Sequence, residues 1–287
     1  MNLKFVGIHV RPDSPDAERK GIELAAWLQR QGIATGDLNA AEPSMDLLIV
    51  LGGDGTLLHA ADLASRYGIP ILGVHMGNLG FLTEITVDEL YKTITMLLAG
   101  EYRLERRIML SAAVVNGTTG AISEAVRALN EVLIVKDSAS ALIRLGCWAN
   151  QEYITTYSAD GLIIASPTGS TAYNLSAGGP LVHAEQKSLI LTPVCPFMLS
   201  SRPVLLSSET LVTVHPLAPA SQVGVIIDGE LHWRMAEDDY LLVQQAARPL
   251  LIVSSPWKSY FKILRTKLHW GGDPVDLPLP DPVRRYC

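Results

Sequence analysis

The segment Gly52-Gly53-Asp54-Gly55-Thr56 joins glycines, whose backbone lets a polyphosphate come close, to a carboxylate that would repel one. It follows an apolar run, residues 47–51, and opens a stretch with apolar residues at helical spacing. The turn is therefore expected between a buried strand and a helix N-terminus, where amides without partners and a partial positive charge favour anions. Asp54 is the odd residue in such a place and the first candidate for chemistry. A turn of this composition also serves as a plain tight connection with Asp as a cap. The chain contains no Gly-Lys dipeptide and hence no Walker A loop, and the turn does not carry the Gly-x-Gly-x-x-Gly dinucleotide pattern.

Two further groups of residues invite a ligand. Asp160 precedes a strand-like run, residues 161–165, which leads into Pro167, Thr168, Gly169, Ser170, Thr171, Ala172, Tyr173, Asn174, Leu175 and Ser176 and on to Gly178-Gly179-Pro180. Hydroxyls, exposed amides and one tyrosine ring in a tight loop suit the edge and face of a purine. A surface loop of turn formers would need neither the ring nor so many small residues. The pair Asn130-Glu131 interrupts an apolar stretch, and on a strand one of the two must face inward or onto a cleft. A carboxylate and an amide there suit ribose hydroxyls, while a pair facing water at a strand start would carry no function.

The elements that must hold these residues follow from periodicity and punctuation. Residues 3–10 read as a strand, Ser14 and Pro15 as cap and first turn of a helix ending near Gly32, 46–51 as a second strand, 56–66 as a helix and 69–74 as a third strand. Thr86-Val87-Asp88-Glu89 is a capping box, opening a helix through Leu98 that stops at Gly100. Such alternation implies a mostly parallel sheet with ligands at the carboxyl ends of its strands. Beyond about Tyr102, strand-length runs follow one another at 107–115, 130–136, 141–148, 153–157 and 161–165. Runs 223–227 and 231–235 flank Asp228-Gly229-Glu230, a hairpin with a type I′ turn. Near the end Ser255 and Pro256 are expected to open a helix with the apolar stripe Trp257, Tyr260, Phe261, Leu264 and Leu268, and Lys258, Lys262, Arg265 and Lys267 lie largely on its solvated side. The tail from Asp273, rich in proline, is expected to be extended. The fold class is thus α/β plus mainly β. A Rossmann-like parallel-sheet domain spans 1–101, a β-sandwich-like domain 102–255, and a helix and tail, 256–287, return to the first domain.

Composition narrows the function. With 287 residues, 48% hydrophobic and 18% charged, the chain is long and apolar enough for one large or two ordinary domains. A net charge of −6 disfavours a nucleic-acid partner, whose footprint is basic. The longest apolar stretches are strand-sized and no signal peptide opens the chain, so a cytoplasmic protein without a membrane partner is expected. Cys147, Cys195 and Cys287 are distant and odd in number, which argues against a disulfide framework and a zinc knuckle; the first two read as small core residues, the last as a free terminal thiol. No histidine pair has metal-ligand spacing and no Gly-x-Ser-x-Gly turn occurs, against a zinc hydrolase or an α/β hydrolase.

Taken together, the glycine turn, Asn130-Glu131 and the 160–180 segment resemble the NAD kinase family in order, spacing and identity over nearly the whole chain, and Gly77-Asn78-Leu79-Gly80-Phe81-Leu82-Thr83 is similar to that family's loop after the third strand. The turn alone is shared with lipid kinases and phosphofructokinases; the 160–180 segment is the specific part. The resemblance implies transfer of the terminal phosphoryl group of ATP, or of another polyphosphate, to the 2′-hydroxyl of the adenosine ribose of NAD. Gly52, Gly53, Gly55, Thr56 and a bound magnesium ion would hold the donor phosphates, and Asp54 would take the hydroxyl proton. It further implies that Asn130 and Glu131 meet ribose and nicotinamide portions of NAD and that Asp160 meets the nicotinamide amide. Thr171, Ala172, Tyr173 and Ser176, with the adjoining Asn174 and Leu175, would line the adenine side. Gly55, His59, Phe81 and Glu230 are further candidate contacts, no side chain is assigned as a metal ligand, and a homodimer or homotetramer is implied. Ser158, where many relatives carry Arg, and Ala141, where some carry His, are departures that leave the choice between ATP and polyphosphate open. A lipid kinase using the same donor turn and a non-catalytic NAD-binding regulator are the alternatives.

Overall fold

In the computed structural model, residues 1–38, 45–136, 142–217, 223–270 and 278–284 are described. The first sheet contains β1 (Phe5–Val10), β2 (Ala34–Gly36), β3 (Leu47–Gly52), β4 (Ile71–His75), β5 (Ile85–Thr86), β6 (Leu104–Arg107) and β19 (Leu250–Val253). Its path runs β2-β1-β3-β4-β19-β6, with β5 beside β4, and every pairing is parallel except β19 with β6. Helices α1 (Pro15–Arg30) and α3 (Leu90–Ala99) cover one face and α2 (Asp54–Tyr67) the other. β3 shows why: with a period of two, Leu47, Ile49 and Leu51 enter the core beneath α1 and α3, while Leu48 and Val50 enter that beneath α2. A strand covered on both faces reads as an uninterrupted apolar run.

Local signals set several boundaries. Ser14 accepts the amide of Ala17 with Pro15 in the first turn, and Gly68 closes α2 in the left-handed region at φ 71°. The capping box forms too: Thr86 N donates to Glu89 Oε2 at 2.8 Å and Glu89 N to Thr86 Oγ1 at 3.1 Å, one turn ahead of the helix proper.

Two antiparallel sheets make up the rest. One runs β11 (Glu152–Ala159), β10 (Ile143–Ala149), β15 (Val212–Leu217), β18 (Tyr240–Gln245), β7 (Leu110–Val115), β8 (Val126–Ala128). The other runs β14 (Val204–Ser207), β13 (Ser188–Val194), β12 (Gly161–Ala165), β9 (Glu131–Lys136), β16 (Val223–Ile227), β17 (Glu230–Met235). Leu145, Val214 and Val243 of the first meet Ile134, Leu162, Leu191 and Val225 of the second in one buried cluster, so the two sheets form a sandwich. The hairpin turn is as expected: Ile227 pairs with Glu230, and Asp228 and Gly229 have φ of 46° and 93°, the signs a type I′ turn requires.

Several expectations are corrected. The strand expected over 107–115 is two strands: Arg107 ends β6 in the first sheet and Leu110 opens β7 in the sandwich. Together with β19, this puts Leu104–Arg107 and Leu250–Val253 in the first sheet, although both fall within the 102–255 range. The final long helix, α5 (Tyr260–Leu268), is capped by Ser259, not Ser255. Ser255 instead donates its backbone N–H to Glu84 Oε2 at 3.0 Å, holding a bent lead-in between β19 and α5. The buried face also differs from the expected stripe: Ile263 and Leu264 are buried and Phe261 is 55% exposed. Asp281–Arg284 forms a helical turn, α6, within the tail expected to be extended, since Pro is tolerated in a first turn. Cys147 is buried as expected, but Cys195 is exposed, because it occupies a left-handed turn at φ 46° just past β13. Ala141 and Cys287 lie outside the described residues.

Candidate active site

The strand order places β1 and β3 at the point where the chain reverses direction across the first sheet, which is where open α/β sheets accept ligands. The glycine turn leaves the carboxyl end of β3 at that point. Gly53 is the extended N-cap of α2, with φ −113° and ψ −172°, and Asp54 is the first helical residue. A Cβ added at Gly53 or Gly55 would meet no atom within 4 Å. Neither protein packing nor a left-handed backbone calls for glycine at these two positions, whereas close approach of a ligand to the helix's first amides does.

Asp54 is gripped by the loop after β4. Its Oδ1 accepts from Leu82 N at 3.1 Å, Thr83 N at 3.0 Å and Thr83 Oγ1 at 3.0 Å, and its Oδ2 from Phe81 N at 2.8 Å. Gly80 allows this close packing, since a Cβ there would lie 2.0 Å from Asp54 Oδ1. A carboxylate oxygen has two lone pairs, so Oδ2, with its single amide donor, keeps capacity for one more partner.

The second part lies at the sandwich end of the cleft. Glu131 opens β9 opposite Ala165, the last residue of β12, so the 166–180 loop starts beside it. Gly169 packs onto Asn130, where a Cβ would lie 2.1 Å from the Asn130 carbonyl oxygen. Ser166 Oγ donates to Leu129 O at 2.5 Å and Ser166 N to Asn130 O at 2.8 Å. The Asp228 carboxylate of the hairpin accepts from Leu129 N at 2.6 Å, Asn130 N at 2.8 Å and Glu131 N at 3.0 Å. Glu131 Oε2 is buried without a hydrogen-bond partner, and burial, reinforced by the Asp228 charge, pushes the Glu131 carboxyl up to about 8. Burial raises Asp228 too, but three amides oppose that rise. The pair's negative charge therefore resides on Asp228, and Glu131 is a neutral acid near pH 7.

The 160–180 residues separate into scaffold and surface. Asn174 is wholly buried: its Nδ2 donates to Ser170 O at 3.3 Å and Pro180 O at 3.1 Å, and its Oδ1 accepts from Thr192 Oγ1 at 2.7 Å. Its side chain is committed to bracing the loop. Ser170 Oγ likewise bonds Val182, donating to its carbonyl and accepting its amide, both at 3.1 Å. In contrast Tyr173, which opens the short helix α4 (Tyr173–Ser176), is 43% exposed; Ser176 is exposed and Thr171, Ala172 and Leu175 half-buried. Phe81 and Thr171 line one small cavity with Pro167, Thr168 and Tyr260, which brings the 81–83 loop against the 166–180 loop.

His59 Nδ1 stands 3.4 Å from Glu230 Oε1, both side chains mostly exposed, and the two flank a 230 Å³ cleft that also reaches Gly55, Arg127 and Asp228. Asp160 does not join this cluster within one chain. It sits at the other end of β12 from Ala165, roughly 17 Å away at about 3.4 Å per residue, and bonds Lys136 Nζ at 2.6 Å. A larger cavity, 530 Å³, lies elsewhere, lined by Glu84, Arg103, His183, Lys258 and Tyr260 among others. It contains neither the glycine turn nor Asn130-Glu131, and its Arg103 and Lys258 are already paired, with Glu185 and Glu89. Sequence reasoning missed Thr83 as an Asp54 donor and Asp228 as the anchor of residues 129–131. The second had a signal, because Asp in a tight turn commonly accepts nearby amides.

Comparison with known proteins bears on this geometry. The family profile described as ATP-NAD kinase N-terminal domain matches residues 33–102, and the one described as ATP-NAD kinase C-terminal domain matches 129–255. The NAD kinase of Geobacter metallireducens is 38% identical over 283 residues, covering 94% of this chain and 99% of that protein. That of Heliobacterium modesticaldum is 37% identical over 284 residues, covering 94% and 100%. Among solved structures, a yeast NADH kinase complexed with NADH superposes with a TM-score of 0.85 at 22% identity, covering 97% of this chain and 91% of that one. An Archaeoglobus fulgidus NAD kinase in complex with ATP gives 0.73 at 23%, covering 92% and 98%. These two establish the shared fold. With both halves matched by the family profiles, and with relatives above 30% identity aligned along nearly its full length, the chain belongs to the NAD kinase family.

Proposed function

We propose that the protein transfers the terminal phosphoryl group of ATP to the 2′-hydroxyl of the adenosine ribose of NAD, forming NADP and ADP. The observation that carries this reading is a carboxylate, Asp54, fixed at a ligand-accepting helix N-terminus by four hydrogen bonds from residues 81–83, with a lone pair left on Oδ2. As the ribose oxygen bonds to the γ-phosphorus and the bond to ADP breaks, the hydroxyl proton passes to Asp54. An ordinary carboxylate suffices as base because the hydroxyl becomes acidic only as the new P–O bond forms. Gly52 and Gly53 lead into the first turn of α2, where Gly55 and Thr56 present their amides to the donor phosphates.

Magnesium fits as an ion carried on those phosphates. Among the described residues no group of three or more His, Cys, Asp or Glu could hold a metal, and magnesium ordinarily needs only one or two carboxylates beside phosphate and water. Bound, it neutralises phosphate charge. In this reading Asn130, Glu131, Phe81, Thr171, Ala172, Tyr173, Leu175 and Ser176 surround NAD, and Asn174 braces the loop. His59 and Glu230 flank the cleft mouth. Asp160 reaches the dinucleotide only at its far end or from a second copy of the chain, in keeping with a homodimer or homotetramer. We further place the unit boundary along the sheets, with 1–107 and 250 onward as the α/β unit and 110–245 as the sandwich. Among the described residues no helix is long and apolar enough to cross a membrane, and the proposed place of work is the cytoplasm.

Incubating purified protein with NAD and magnesium-ATP is expected to yield NADP and ADP in equal amounts. NAD binding without turnover would make the protein a regulator, and phosphorylation of diacylglycerol or sphingosine in place of NAD would make it a lipid kinase. Replacing ATP by polyphosphate in the same assay fixes the donor.

A further inference from the structure

We infer that Asp228 is a positioning residue for the dinucleotide pocket: its carboxylate, from the tip of the β16–β17 hairpin, fixes the backbone of 129–131 and with it the placement of Asn130 and Glu131. This deepens the NAD kinase reading and rests on it.

The geometry is unusual for a turn residue. A type I′ turn needs only residues that tolerate positive φ, and Asn or Gly would serve as well as Asp228 at 46°. What Asn or Gly cannot supply is two anionic acceptor oxygens. Asp228 Oδ2 takes Leu129 N and Oδ1 takes both Asn130 N and Glu131 N, three consecutive amides roughly a hundred positions away in sequence. Leu129 and Asn130 precede β9 and Glu131 is its first residue, so the clasp fixes the segment just where the sheet's ladder begins. Asp228 N in turn donates to Glu131 O at 3.1 Å, closing a reciprocal clasp.

Burial, reinforced by the Asp228 charge, sets the chemistry of Glu131. Two buried carboxyls side by side do not both ionise, and the one with the amide donors keeps the charge. Glu131 then carries a proton on a carboxyl whose Oε2 has no partner in the protein. A protonated carboxyl donates one hydrogen bond, and an acceptor on the ligand, such as a ribose or amide oxygen, would take it. β12, the neighbouring strand, contributes only Ala165 and Ser166 at this level, with no ionisable group. Glu230 lies beside Asp228, and the cleft is further lined by His232 of the same hairpin, Arg127 of β8, and His59 and Asp62 of α2. Asp228 is the charge that acts on Glu131.

The test uses the full-length protein and two variants. Asp228→Asn keeps the turn and its volume but removes the charge and one acceptor. The KM for NAD is expected to rise about five- to fifty-fold, as for loss of a charge-assisted bond, with kcat changed much less. Wild-type KM should climb as pH rises through about 8, where Glu131 ionises; in Asp228→Asn the climb should start at lower pH, and in Glu131→Gln it should vanish. Hydrogen exchange of the amides 129–131 should quicken in Asp228→Asn. An unchanged KM with an unchanged pH profile would overturn the inference, as would a fall in kcat alone. Should the wild type make no NADP, the kinase reading fails by itself. The exchange experiment, read without turnover, then still decides whether Asp228 clasps the segment, and unaltered protection would sink that part too.

Discussion

At Asp54, one oxygen holds three hydrogen bonds and the other one, and that asymmetry separates a structural duty from a chemical one. Asp54→Asn keeps the shape but turns an amide N–H₂ toward donors on one side and removes the base. Turnover is expected to fall about 10²–10⁴-fold, while NAD binding, followed by calorimetry, stays within a few-fold of wild type. Near-normal turnover would remove Asp54 from the base role. Glu131 offers a prediction about stability. Its folded-state value, about 8, lies above its ordinary 4.5, so the folded protein holds a proton that the unfolded chain releases between these values. The associated stability is complete below the ordinary value and is lost as pH rises toward 8. Urea unfolding at pH 5 and pH 8.5 should show Glu131→Gln losing less stability than wild type across this interval, by on the order of a few kcal/mol. Asp54 was legible as chemistry because an anion in an anion site demands an explanation. Thr83 was not, since a threonine in a loop announces nothing until the fold brings it 3.0 Å from a residue 29 positions earlier.

The 166–180 loop shows what element-level reading gets right and what it blurs. Its richness in small polar residues was visible, but composition cannot say which side chains face the loop's own interior. The fold resolves them: Asn174 and Ser170 brace, Tyr173 and Ser176 face outward. Opposite signatures follow. Asn174→Ala leaves Thr192 Oγ1 and two buried carbonyls without partners and should cost about 1–3 kcal/mol of stability in chemical denaturation. Tyr173→Ala should leave stability near wild type and raise the KM for NAD about tenfold or more, the loss expected when a base gives up a stacked ring. A KM unmoved by the tyrosine change would take Tyr173 out of the pocket. α5 carries the same lesson. Its apolar residues were plain in the sequence, yet the cap lies four positions later, at Ser259 and not Ser255, and the buried residues are Ile263 and Leu264. Caps are local, whereas the bent lead-in that takes this one's place depends on Glu84, far away in the chain.

For the whole molecule, the alternation of strands and helices, the later crowd of strands and the hairpin made both architectures readable from periodicity. Sheet membership was not readable for β6 and β19, because a strand's residues state how it is buried and not which neighbour pairs with it. Assembly belongs to this scale too: light scattering is expected to give a mass at least twice the 31.1 kDa of one chain, and a monomer that makes NADP would confine every site residue to a single copy.

The placement of β6 and β19 reaches further than topology. The chain leaves the first sheet after Arg107 and re-enters it at Leu250, and these two residues pair with each other, while Ala246 N donates to Met109 O at 2.8 Å just beyond. The sandwich is thus a cassette spliced into its host through two adjoining threads. Its ends abut, so it could be permuted or lifted out with little chain to rejoin.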